Sequence, residues 1–116
     1  MKKKFTPCLL LTLSVSNFAM AEQGKREVVL ENKDVEVVRL TYPAGAESGM
    51  HTHVYPNRVV YFVKGGKLEL IPEDKNKSSK ILHVKDGKTL YLPAMTHNVK
   101  NIGDTEIIIV ETEIKK

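Results

Sequence analysis

The residues best suited to chemistry in this 116-residue chain are three histidines and one arginine. His51 and His53 stand one residue apart in Gly-Met-His-Thr-His, just ahead of an apolar run, Val59 to Val63, with strong strand character. In an extended backbone, residues two apart project to the same side, so the two imidazoles converge on one point. Imidazole is the commonest protein metal ligand near neutral pH, but two make a weak site. His97 is the candidate third ligand. Three neutral imidazoles with an open position suit zinc, copper, iron or nickel, whereas manganese prefers oxygen donors. The alternative is a metal-free polar pocket in which the histidines hydrogen-bond one another. His83, the fourth histidine, shares a strand face with Ile81 and Lys85 and reads as a surface or rim residue.

Arg58 has two readings. Its planar fork matches a carboxylate or phosphate of a small ligand, or it lies on the exterior of the fold paired with an acid. Asn57, Tyr55, Tyr61 and Tyr91 are candidates to line a pocket, although aromatic residues in strands commonly serve packing. Met50 and Met95 flank the histidines. A thioether there would favour copper, and methionine also fills irregular apolar gaps. The candidate ligand contacts are therefore Arg58, Asn57, Tyr61 and Met95. No general base stands out, and Glu47 is only the acid nearest in sequence.

Strands must position these groups. Val28 to Leu30 and Asp34 to Tyr42 are rich in β-branched residues, and Pro43, Gly45 and Gly49 then form a loop leading to the histidines. Lys64 to Lys67 reads as a hairpin turn whose two glycines supply positive φ. Leu68 to Ile71, Lys80 to Val84, Thr89 to Leu92 and Thr105 to Ile114 read as further strands. The polar loop Pro72 to Ser79 and turns at Asp86-Gly87, Pro93 to Thr96 and Asn101 to Asp104 separate them, with Asn101 serving its turn. No window sustains helical periodicity, and turns recur every eight to twelve residues or so, as in a sandwich or barrel. The expectation is one all-β domain.

The first 21 residues are expected to stand outside it. Lys2, Lys3 and Lys4, an apolar run from Phe5 to about Val15, and Ala19-Met20-Ala21 have the layout of a secretory signal peptide. The apolar run falls short of the roughly 20 residues a spanning helix needs. Cleavage after Ala21 would leave residues 22–116 as the mature chain, periplasmic or secreted and not held in a membrane. The full chain has 18 basic and 14 acidic residues; losing the three lysines leaves 15 basic and a net charge of about +1. No concentrated basic face points to nucleic acid. The single cysteine, Cys8, leaves with the leader, so the mature chain has no disulfide, and it has no tryptophan. A domain this small and unstapled gains from self-association, and a homodimer is expected.

At this point the residues resemble the cupin superfamily over nearly the whole mature chain. The first cupin motif runs Gly, five residues, His-x-His, three or four residues, Glu, six residues, Gly; Gly45, His51, His53 and Gly65 fall in register. The second motif runs Gly, five residues, Pro-x-Gly, two residues, His, three residues, Asn. Gly87, Pro93, His97 and Asn101 correspond, with one residue fewer between proline and histidine and Met95 in place of the glycine. The resemblance implies a small antiparallel jelly-roll barrel with a pocket at one mouth, and a divalent metal held by His51, His53 and His97. The motif's glutamate is absent: Arg58 occupies its slot and Asn57 the alternative spacing. Arginine has no lone pair to offer a cation. Two functions are therefore open: a metal-binding cupin, with or without enzymatic action on a small polar or anionic molecule, and a metal-free ligand-binding module using Arg58.

Overall fold

The structure, a computed structural model, describes residues 22–116; the leader read at residues 1–21 lies outside the described residues. Nine strands follow one another in the described chain. They are β1 (Lys25–Glu31), β2 (Val35–Tyr42), β3 (His51–Thr52), β4 (Asn57–Lys64), β5 (Gly66–Pro72), β6 (Lys80–Val84), β7 (Thr89–Pro93), β8 (Thr96–Asn101) and β9 (Ile107–Ile114). A five-stranded sheet ordered β1-β2-β9-β4-β7 packs on a four-stranded sheet ordered β3-β8-β5-β6. Every strand pair is antiparallel. This is the all-β jelly-roll barrel expected from the strand-and-turn pattern.

Period-two alternation decides what each strand turns inward. On β4, Arg58, Val60 and Phe62 are buried while Tyr61 and Val63 face out. On β8 the buried set is His97, Val99 and Asn101, and on β9 it is Ile107, Ile109 and Glu111. On β4 and β9 the inward row is apolar toward the closed end of the barrel and polar at the mouth, while β8 carries His97 at the mouth and Asn101 at the closed end. Tyr42, Phe62, Leu68 and Ile107, all 3% exposed or less, fill the closed end. Asn101, fully buried, serves its turn as expected: its Nδ2 donates to the carbonyls of Tyr42 (2.9 Å) and Thr105 (2.8 Å), and its Oδ1 accepts from Gly103 N.

The Lys64–Lys67 segment corrects the hairpin expected there. β4 and β5 belong to different sheets, so the chain crosses the barrel at this point, and neither Gly65 nor Gly66 has positive φ. Close approach is the reason for glycine: a Cβ on Gly65 would stand 2.2 Å from the Val84 carbonyl oxygen. Glu47 also has a structural place, bridging Gln23 and Lys100 through its backbone. His83 is exposed on β6, as expected of a surface residue.

Candidate metal centre

His51 and His97 lie directly opposite each other in the β3–β8 register, and His53 follows β3 with its backbone N–H bonded to Met95 O at 2.8 Å. All three rings turn Nε2 toward one point. His51 Nε2 is 2.8 Å from His53 Nε2, which is 3.1 Å from His97 Nε2. The ring centroids are 4.6–5.1 Å apart and steeply inclined to one another.

The far side of two of the rings fixes their tautomers. Gly49, at φ +79°, turns its carbonyl onto His51 Nδ1 at 2.9 Å. A carbonyl can only accept, so His51 Nδ1 carries the proton and Nε2 presents its lone pair. Glu113 does the same for His53, accepting from Nδ1 at 2.5 Å. His97 Nδ1 is buried with no partner among the described residues. Burial pushes the His97 pKa down to about 3, with Arg58 and the other two imidazoles acting in the same direction. Burial also lowers that of His53, against the Glu113 hydrogen bond. Neutral rings with lone pairs a few ångströms apart repel unless a cation or a proton donor lies between them.

The donor set fits a divalent ion. Nitrogens bound at about 2.0–2.1 Å stand about 2.9–3.4 Å from one another, from right-angled to tetrahedral coordination. The observed 2.8 and 3.1 Å lie at the right-angled end, which leaves room for further ligands. The carboxylate–histidine pairing of Glu113 and His53 is the outer-shell support that metal-bound imidazoles characteristically carry.

Arg58 is the departure. It is 2% exposed, inside the barrel, and its Nη1 donates to Glu111 Oε2 at 2.9 Å and faces His53 Nε2 at 3.0 Å. The acidic partner expected of it exists, but the exterior position does not. Glu111 is itself 6% exposed, and burial raises its pKa against the pull of Arg58. The positive charge in the glutamate slot is thus met by a carboxylate on the neighbouring strand, with Glu113 adding a second.

The other expected contacts are dispersed. Met95 lies beside His97 in an open groove, Tyr61 points outward at 44% exposure, and Asn57 starts β4 opposite Pro93. The last two line neither cavity that borders the triad. One cavity, of about 410 Å³, opens at the mouth between Gln23, Tyr55, His51, His53 and Glu113. The other, of about 40 Å³, lies beneath the triad and is walled by Arg58, Phe62, Leu68, Leu82 and Ile109. Sequence reasoning missed Glu111 and Glu113. Their signal was the period of two in Ile-Ile-Ile-Val-Glu-Thr-Glu-Ile, which places both on the inward face with Ile107 and Ile109.

No protein-family model matches the chain. It is 33% identical over 94 residues to the beta-alanine degradation protein BauB of Pseudomonas aeruginosa, covering 80% of this chain and 95% of that protein. Among solved structures it resembles a cupin domain from Bordetella pertussis Tohama I, with a TM-score of 0.76 and 31% identity over 84% of this chain and 98% of that one. A Klebsiella pneumoniae protein with a double-stranded beta-helix domain shares the fold at a TM-score of 0.64 and 24% identity, over 80% of this chain and 77% of that one.

Proposed function

The chain is a small single-domain cupin of the same family as the Pseudomonas protein, and from that premise we propose that His51, His53 and His97 hold a divalent metal ion that serves a small polar or anionic molecule. The convergence of three Nε2 atoms, two of them with tautomers fixed from behind by Gly49 and Glu113, carries this reading. The ion would be zinc, copper, iron or nickel, and would supply Lewis acidity or activation of water or dioxygen. The chain's own residues orient and insulate it. Glu113 holds the His53 ring, Arg58 and Glu111 neutralise each other, and apolar side chains close the barrel below. The name of the Pseudomonas relative suggests a role in the breakdown of beta-alanine or a similar short amino acid.

One contact favours a second reading. Arg58 Nη1 at 3.0 Å from His53 Nε2 satisfies that lone pair without an ion, as a metal-free ligand-binding cupin would require. Elemental analysis of untagged protein separates the two. About one metal per chain, lost in His51→Ala and in His97→Ala, is the expected result. No metal after reconstitution would favour the second reading.

We also propose that the mature protein begins at Glu22, acts outside the cytoplasm and is a homodimer. The leader-like residues before Glu22 support export, and half-exposed Val28, Val29 and Leu30 on edge strand β1 support self-association. N-terminal sequencing of the cell-fractionated protein and light scattering test these points.

A further inference from the structure

Arg58 retains two donor atoms that none of the described residues receives. Its Nη1 is engaged by Glu111 and His53, but Nε and Nη2 are buried and have no partner among the described residues. These two atoms form one edge of the guanidinium plane, where two parallel N–H groups match the two oxygens of a carboxylate. Buried donors left unmatched are destabilising, more so on a charged group. The residue lines the 40 Å³ cavity beneath the triad, whose remaining walls are mostly apolar. That space is small, so the rest of any ligand beyond its carboxylate would have to lie elsewhere.

Arginine keeps its charge at any working pH, and of its three nitrogens only Nη1 is met by an acid, Glu111 at 2.9 Å. A divalent ion held by His53 Nε2, which Nη1 faces at 3.0 Å, would add to the attraction for an anion. We propose that the Nε/Nη2 edge of Arg58 is the binding site for the carboxylate of a small ligand and that a bound metal strengthens it. The metal-dependent part rests on the reading above; the arginine edge does not.

The test is calorimetric titration of acetate, with propionamide and phosphate as controls, into zinc-loaded and chelator-stripped protein whose zinc content is measured separately. Wild type is expected to bind acetate saturably, at least tenfold tighter with zinc than without, and to bind neither control comparably. Arg58→Lys keeps the charge but loses the planar edge, and should lose tenfold or more in acetate affinity. Arg58→Met combined with Glu111→Leu removes the pair without changing net charge, so it should keep its zinc while losing acetate. Acetate binding unchanged in these variants, or phosphate binding tighter than acetate, overturns the site. If no zinc is taken up, the metal reading fails on its own; the stripped protein still decides the arginine edge, supported by acetate binding that Arg58→Lys weakens and overturned by its absence.

Discussion

Removing one partner of the buried Arg58–Glu111 pair should be far more damaging than removing both. The two side chains are 2% and 6% exposed and share a hydrogen bond of 2.9 Å, so each single deletion leaves a buried charge without its partner. Breaking such a pair typically costs about 3–5 kcal/mol, whereas replacing both members with apolar side chains is often close to neutral. Against a total stability of about 5–15 kcal/mol, either single variant is near the threshold of folding. The two singles should also differ in pH response. In Arg58→Met the orphaned Glu111, already raised by burial, loses its main opposing influence and takes up a proton. A carboxyl whose folded pKa is raised favours the folded state at low pH and loses that advantage as pH rises through the folded value. The Arg58→Met deficit should therefore be smaller at pH 5 than at pH 8. In Glu111→Leu the stranded guanidinium does not titrate, and the loss should be flat across that range. The assay is a double-mutant cycle by guanidinium denaturation, followed by far-UV circular dichroism because the chain lacks tryptophan. Single losses under about 1 kcal/mol that add without coupling would refute the claim that these charges neutralise each other inside the barrel.

Other expectations follow from the same geometry. Glu113→Gln should weaken zinc about 10–100-fold in competition with a chelating dye, because His53 loses the carboxylate that orients it. In metal-free protein, His97 has a folded pKa of about 3 against 6.5 when unfolded, so its contribution is present above pH 6.5 and lost as pH falls toward 3. The urea midpoint should drop over that window, and His97→Phe should flatten the drop. Gly65→Ala should destabilise by about 3 kcal/mol in a thermal melt, because its Cβ meets the Val84 carbonyl at 2.2 Å. Gly103→Ala, whose nearest neighbours would be 3.5 Å away, should be nearly silent in the same thermal melt.

Much of the barrel and part of its site were legible in residue patterns, for identifiable reasons. Lys80–Val84 is a strand with the bounds its composition suggests, since polar loop and turn residues flank it on both sides. His51 and His53 converge because alternation is local, and His97 joins them through register between β3 and β8. The Gly65-Gly66 crossing was misread because two glycines between apolar runs look alike whether the chain turns back or changes sheet. Only the packing of Val84 and Ile107 against them distinguishes the two. Arg58 was open between interior and exterior because a charged residue in an alternating strand is ordinarily on the wet face. Its interior place depends on Glu111, which lies 53 positions along the chain and next to it only once β4 and β9 pair.

The two-residue length of β3 has a kinetic consequence. It pairs with β8 alone, at the rim of its sheet, and it delivers His51 and leads directly into His53. So short an edge can detach without disturbing the strands behind it, in an excursion costing a fraction of global unfolding. The amides of Thr52 and His53 should exchange with solvent water faster than those of Phe62 or Ile109. An ion bridging His97 on β8 to both histidines would fasten this rim, the role a disulfide fills in many small secreted domains. Loading and unloading would then be paced by rim opening, and amide protection at Thr52 would rise with occupancy while the closed end of the barrel stayed unchanged.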